Sequence, residues 1–386
     1  MIKHSIFSEN TQKEIERAAA KMAQYPYFEN NGGWCGELLL IRQDVPAALQ
    51  ALRLGMRYAD LVGVERDMVP LVYIFQMLPK TVERLVRAGF SDKIVEDSLR
   101  DVETWIDVYR AYHHGRCGLE RLEWAFRLTA GLVYRMGEFQ FERVTYEFPY
   151  YLYQNRGKGN YMAFAAPGLY VDQDGYLEGT NGRLCRYRRE TELSFSAEYV
   201  QGFTVDLQKG IVETEKTASL SLKEWGPVLI PGMKALTLHI PAGADLSEEK
   251  LLESLRMAMG YFGKEIGLET SLILCDSWLL DPHLEELLPE NGRICSFMRK
   301  FYKLPVKEQV PQIFERVMGF DFKRGELESF QAITSLQKHL KNYILGGGEV
   351  FTTAGFLPNR SALPSGGASS NSGGDPSVGE SGLKGK

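Results

Sequence analysis

A chain of 386 residues is long enough for two domains with sizeable cores, and its 44% apolar and 25% charged residues are those of an ordinary soluble protein. A net charge of −5 and a pI near 5.8 give no electrostatic case for nucleic acid or for an anionic membrane surface. Five cysteines without a CxxC pair argue against a disulfide or zinc framework; with a polar N-terminus and no apolar run of about 18 residues, they make the cytoplasm the expected compartment.

The first third reads as helices. Residues 11–22 place Ile15, Ala18, Ala19 and Met22 on one face. Asp44 can cap a helix carrying Leu49, Leu52, Met56 and Ala59. The apolar run 71–78 predicts a buried or kinked helix, cut by Pro79. Ser91 opens a longer one, with Val95, Leu99, Val102, Ile106 and Tyr109 at helical spacing up to Gly115, and residues 119–130 form the last, stopped by Gly131. Short connections between them suggest an antiparallel bundle. His113 and His114 are neighbours and so diverge by about 100° on a helix. With the other histidines scattered, no metal site is expected.

After Gly131 the pattern changes to alternation. Residues 132–148 read as one half-buried strand, with Phe139 and Phe141 on one face and Glu138, Gln140 and Glu142 on the other. Asp174-Gly175 and Asn181-Gly182 carry hairpin signals, and Lys209-Gly210 marks a further turn. Residues 192–199 put Leu193, Phe195, Ala197 and Tyr199 inward, so the middle of the chain is antiparallel sheet. Asp172-x-Asp174-Gly175 lacks the remaining ligands of a calcium loop and reads as a tight turn. Arg183, Arg186, Arg188 and Arg189 read as a charged edge strand, with phosphate binding the lesser alternative.

Residues 235–282 organise the rest. The stretch 235–240 (ALTLHI) is a strand ending at Pro241. A helix starts after Ser247, with Glu248 and Glu249 in its first turn and Leu251, Leu255, Met259 and Phe262 on one face. Gly267 stops it, and 271–275 (SLILC) is a second strand. The crossover predicts that the two strands lie parallel, and ligands of such units bind beyond the strands' carboxyl ends. His239, Cys275, Asp276, Ser277 and Trp278 fall at those ends. Beyond lie a helix at 291–302, a strand at 312–317, a helix at 327–345 that ends in three glycines, and a last strand at 349–356. A Gly/Ser-rich tail, 361–386, should be disordered. The fold class is therefore α+β: a helical N-terminal domain over 1–131, then a mixed-sheet domain over 132–360.

The segments RMGEFQFE (135–142), LHIP (238–241), CDSWLLDP (275–282), NGRICSFMRKFY (291–302) and TSLQKHLKNYILGGG (334–348) resemble a bacterial family of acyltransferase-domain proteins. That family joins a helical N-acyltransferase-type N-terminal domain to a GNAT-like (N-acetyltransferase-like) C-terminal domain. The resemblance implies a GNAT-like mixed sheet and acetyl-CoA or another acyl-CoA as co-substrate. The pyrophosphate would lie on backbone N–H groups at the start of the helix after 235–240. The pantetheine would lie between the two parallel strands. It assigns coenzyme binding to Ile240, Gly243, Ala244, Ser247, Asn291 and Arg293.

In the acyltransferase reading His239 is the general base, because imidazole titrates near neutrality; Asp276 and Ser277 join it as catalytic residues, Ser277 or Cys275 as an acid or ligand contact. The acceptor is a small-molecule amine or similar nucleophile, and a homodimer stays open. In the resembled family a tyrosine about seven residues after the asparagine protonates the thiolate; here that position is Met298, and the nearest tyrosine is Tyr302. The loop 241–246 holds one glycine and no cation, and Glu248 and Glu249 repel phosphate. Those departures support the alternative, a non-catalytic GNAT-like binding or regulatory protein. A Ser277–His239 hydrolase is a third reading and lacks a nucleophile elbow.

Overall fold

The computed structural model describes residues 6–184, 188–265 and 272–358. Arg186, Gly267, Ser271 and the tail 361–386 lie outside them. Helices come first: α1 (Glu9–Met22), α2 (Pro26–Gly36), α3 (Val45–Arg57), α4 (Val69–Arg87), α5 (Asp92–Leu99), α6 (Asp101–Tyr112) and α7 (Leu122–Thr129). Ser8, Asp44 and Ser91 cap α1, α3 and α5 by accepting backbone N–H groups with their side-chain oxygens.

Several boundaries differ from the sequence reading, each for a local reason. Pro79 does not cut α4, which carries it in its interior. The helix expected from Ser91 to Gly115 breaks at Arg100 into α5 and α6. α2, with its NNGG run, and the π-helical turn Glu37–Ile41 that continues it were not expected. Burial of Phe28, Asn31 and Cys35 holds α2 against the glycine penalty, since tertiary packing outweighs propensity.

The first sheet is assembled from strands far apart in sequence. The expected single strand over 132–148 is a hairpin, β1 (Val133–Met136) and β2 (Phe139–Thr145). It folds at Gly137, which has φ +68° and lies so close to Ser254 that a Cβ would meet Ser254 Oγ at 2.4 Å. Ser254 Oγ in turn accepts the N–H of Glu138. The chain then makes a second, antiparallel layer: β3 (Tyr150–Asn155), β4 (Tyr161–Ala165), the short pair β5 (Tyr170–Val171) and β6 (Arg189–Glu190), β7 (Leu193–Phe195), β8 (Tyr199–Asp206), β9 (Ile211–Ser221) and β10 (Trp225–Leu229). The hairpin turn there is Lys209-Gly210, between β8 and β9, whereas Asn181-Gly182 lies in a 3-10 turn. Phe195 and Tyr199, expected inward, are half exposed: Phe195 ends the three-residue edge strand β7, and Tyr199 opens β8. Asp172 Oδ1 accepts the N–H groups of Asp174 and Tyr176, so that loop is the tight turn expected.

β11 (Lys234–His239), α8 (Glu248–Glu265) and β12 (Leu272–Ser277) form the predicted crossover, and β11 and β12 are parallel neighbours. α9 (Leu284–Leu287) and α10 (Arg293–Met298) follow; α10 is shorter than expected, because Tyr302 already begins β13 (Tyr302–Pro305). Residues 312–317, expected as strand, are helical instead and run into a π-helical turn, Phe314–Met318, that buries Phe314 and Met318. α11 (Ser335–Leu345) starts at a Thr334–Gln337 capping box, and β14 (Thr353–Pro358) closes the sheet. The strand order is β1-β2-β11-β12-β14-β13, a mixed sheet after a helical region, as the α+β reading requires.

Both faces of this sheet are covered. Phe139, Phe141, Leu236, Leu238, Ile273 and Cys275 join a core with Leu251, Leu255 and Phe262 of α8 and Phe297 of α10. Truncating a fully buried phenylalanine such as Phe262 costs about 3–5 kcal/mol. On the opposite face Ala235, Leu272, Leu274, Ala354 and Phe356 pack against Tyr150, Leu152, Ala163 and Ala165 of the second sheet. At the β11 carboxyl end that same face meets α7 instead, and the candidate site lies where the two covers part.

Candidate active site

β11 and β12 pair only through Leu236↔Ile273 and Thr237↔Leu274. Past that point each stays paired on its outer side, β11 to β2 through His239↔Gln140 and β12 to β14 through Ser277↔Thr353. Beyond those two pairs no β11–β12 pairing is made, while both carboxyl ends remain anchored on their outer sides.

His239 lies two residues past the last of those pairs. Alternation puts it on the face of Thr237, Gln140 and Glu142, and its Nε2 lies 3.1 Å from Glu142 Oε2. Arg127 of α7 grips the same carboxylate with two N–H groups, its Nε at 3.1 Å from Oε1. Trp124, one turn earlier on α7, sets its ring edge-on to the imidazole at 4.9 Å. The indole N–H groups of Trp124 and Trp105 both donate to Asp101 Oδ2, which fixes the aromatic wall. Glu142 is 4% exposed. Burial alone would push its carboxyl up, but the hydrogen bonds from His239 and Arg127 outweigh that and hold it below the ordinary range. An ionised Glu142 only accepts, so of the two imidazole tautomers it favours the one with the proton on Nε2, which leaves the lone pair on Nδ1.

Asp276 lies on the same face of β12 as Leu272 and Leu274. Solvent reaches it, yet the surrounding protein and the nearby Glu308 push its carboxyl up to about 7. One oxygen of Glu308 is buried without a hydrogen-bond partner. Across the opening, Phe320 meets Trp105 at 6.1 Å and Tyr112 at 5.5 Å, with the Arg121 guanidinium 4.6 Å above it. Arg121 also pairs with Glu315, so α6, α7 and the 314–320 segment bridge over the strand ends.

Ser277 is not brought together with His239. It falls on the opposite face, is 8% exposed, and its Oγ accepts the Leu279 N–H, starting a 3-10 turn. Cys275 is 1% exposed and burial pushes its thiol far up, so it behaves as a small apolar side chain. Trp278 packs in a separate small core with Leu284, Phe314 and Leu340.

The loop to α8 runs from Ile240 through Gly243, at φ +76°, and Ala244, whose N–H donates to the Pro241 carbonyl. Asp245 Oδ1 accepts the Ser247 N–H, and the Asp245 N–H donates to Glu138 Oε2. Two cations reach this helix start from α10 and its end: Arg293, 3.7 Å from Asp245, and Lys300, 3.0 Å from Glu248. Asn291 is exposed just before α10. Between α8 and the start of β13 lies a groove of about 560 Å³ bordered by Leu251, Leu255, Arg256, Arg299, Lys300 and Tyr302. Tyr302 stacks on Phe356, 5.1 Å away.

Sequence reasoning missed Glu142, Arg127, Trp124 and Glu308. Glu142 lay inside RMGEFQFE, but alternation assigned it to a solvated face, and only the β2–β11 register sets it beside His239.

Residues 133–357 match the model of the GNAT-like C-terminal domain, and residues 6–131 that of the N-acyltransferase N-terminal domain. Among solved structures, an acyltransferase in complex with decanoyl-CoA and teicoplanin is similar at TM-score 0.57 and 16% identity, covering 91% of this chain and 84% of its own. A mutant acyltransferase in complex with octanoyl-CoA gives TM-score 0.55 at 16% identity, with the same coverage. At that identity the likeness is one of fold. No curated protein sequence matches.

Proposed function

Because the chain belongs to the family of proteins with a GNAT-like C-terminal domain, we propose that it is an acyl-CoA-dependent acyltransferase acting on an amine or a similar nucleophile. The observation that carries the reading is the end of β11–β12 pairing at Thr237 and Leu274, with His239 just beyond it, held by Glu142, which Arg127 grips in turn. Arg293 and Lys300 are the cations for the pyrophosphate at the start of α8, beside the N–H groups that follow Gly243. The groove with Arg256 and Arg299 has the size of a small-ligand site and the charge for the nucleotide end. Acyl-CoA enters as co-substrate. Octanoyl and decanoyl thioesters, the ligands of the similar structures, are the first acyl groups to test.

In this reading the acceptor enters under Trp105, Trp124 and Phe320. Asp276 and Glu308 favour a positively charged amine there, and an ionised Asp276 can draw off the ammonium proton. His239 Nδ1 takes the proton of the neutral amine as it attacks the acyl carbon, and returns it to the departing thiolate. Acyl-CoA and the neutral amine thus give amide and free thiol, and the ammonium proton taken up by Asp276 passes to solvent.

The test is isothermal titration with octanoyl-CoA, followed by thiol release in the presence of a panel of amines. Binding is expected, and His239→Gln should leave affinity and melting temperature nearly intact while cutting turnover by about 10²–10⁴. Full activity in that variant, with a large loss of stability, would overturn the catalytic role. Binding without turnover in the wild type favours the non-catalytic alternative, for which the carboxylates of Asp245 and Glu248 beside the phosphate position speak.

A further inference from the structure

Among the described residues, buried side-chain atoms with neither a hydrogen-bond nor an ion-pair partner occur on Glu103, Gln140, Tyr146 and Glu308. Of these residues only Gln140 is a direct ladder partner of His239. It is 2% exposed, and the atom is the amide nitrogen Nε2, a donor. Buried donors are nearly always paired, because an unpaired one costs roughly 1–3 kcal/mol. An unpaired donor next to a general base calls for an acceptor that arrives with the substrate.

The register fixes where that donor lies. His239 is directly opposite Gln140 in the β2–β11 ladder, and Glu142 is the next residue on the same face of β2. Side chains facing one another across an antiparallel pair start from Cβ atoms about 4.5–5.5 Å apart. Glu142 and Trp124 fix the imidazole on the face of the sheet that it shares with Gln140. Phe139 and Phe141 flank Gln140 in sequence but pack on the opposite face, so the strand cannot turn the amide away without losing that core.

We propose that the side-chain amide of Gln140 donates the hydrogen bond that holds the thioester carbonyl oxygen of the bound acyl-CoA, and the oxyanion that this oxygen becomes. This rests on the acyl-transfer reading above. The amine nitrogen forms a bond to the acyl carbon while the C=O π pair moves onto oxygen. Gln140 stabilises that charge, His239 holds the proton, and re-formation of C=O then breaks the C–S bond and expels the thiolate. A donor already in place and shielded from water spends nothing on reorganisation, which makes such contacts effective.

The test compares octanoyl-CoA with S-octyl-CoA, a thioether that lacks only the carbonyl, on wild type and on Gln140→Met, which keeps length and apolar bulk. Wild type should favour the thioester, and Gln140→Met should lower that preference roughly tenfold while binding the thioether unchanged, the scale of one unmatched buried donor. The carbonyl stretch of a 13C-labelled thioester should lie lower in the wild-type complex than in the variant. Its melting temperature should hold or rise, because a stranded polar atom has been removed. An equal preference in both proteins, with both ligands binding, overturns the role of Gln140 and leaves the acyltransferase reading standing. Failure of wild type to bind either ligand overturns both.

Discussion

Replacing Glu142 by glutamine tests the site with the smallest change in shape. The carboxylate faces three donor groups, Nε and Nη2 of Arg127 and Nε2 of His239, and is 4% exposed. Charge-assisted hydrogen bonds contribute roughly 1.5–3 kcal/mol each. The amide keeps a neutral acceptor, however, and Arg127, with 28% of its side chain exposed, can regain water. The net loss should be about 2–4 kcal/mol, near the lower end for breaking a buried ion pair. At an unfolding entropy of about 0.8 kcal/mol/K for a chain of this length, the melting temperature should fall by about 2–5 °C. Because the folded Glu142 carboxyl lies below its unfolded value, its stabilisation is present above pH about 4.3 and is lost as pH falls through the folded value, so the gap between wild type and variant should close in acid. The catalytic effect is separate. The glutamine amide can turn its NH₂ toward Nε2 and favour the tautomer with the proton on Nδ1, which removes the base, so thiol release from octanoyl-CoA with an amine acceptor should drop about 10²–10⁴-fold. His239→Gln with Glu142→Gln should then lose no more than His239→Gln alone. A double variant whose loss is the product of the two single losses would refute the claim that Glu142 acts through His239.

Three other outcomes follow from the same geometry. Asp276→Asn should remove an activity limb that rises through pH about 7; since a raised carboxyl costs the folded state progressively from the unfolded value near 4 up to about 7, the variant should also gain melting temperature over wild type at pH 8 more than at pH 4, and an unchanged limb would exclude Asp276 from the chemistry. Glu248→Lys should tighten CoA binding at low salt and lose the gain at high salt, because it frees Lys300 and turns a repulsive charge into an attractive one; equal affinity by titration would move the phosphates away from α8. Asp281, fully buried, accepts the Phe351 N–H at 2.7 Å and both the backbone N–H and the ring Nδ1–H of His283, the latter at 2.8 Å. Asp281→Asn should therefore cost about 3–5 kcal/mol by denaturant titration. Burial pulls His283 down but the Asp281 hydrogen bond more than offsets it, so this part of the stability is full below pH about 6.5 and fades as pH rises through the folded His283 value.

Sequence alone determined the order of the chain's chemistry. Helical spacing marked α1, α3 and α5, the last two with Asp44 and Ser91 at their starts, alternation marked the sheets, and the strand–helix–strand order at 235–275 demanded parallel β11 and β12. These are local features, fixed by periods of 3.6 and 2 and by the crossover rule. His239 and Asp276 were legible because a carboxyl strand end is a local position. Tertiary structure decided what stands beside them. Glu142 looked like a solvated acid until the β2–β11 ladder placed it under α7, and Arg127 and Trp124 lie more than a hundred residues from His239 in sequence. Ser277 looked like a partner for His239, but a single residue of alternation turns it to the opposite face. Nothing within a strand records which strand will be its neighbour or in what register. Those pairings are set by burial of the whole sheet between α8 on one face and α7 with the second sheet on the other, and they carry the site's charge and its one unmatched donor, Gln140, with them.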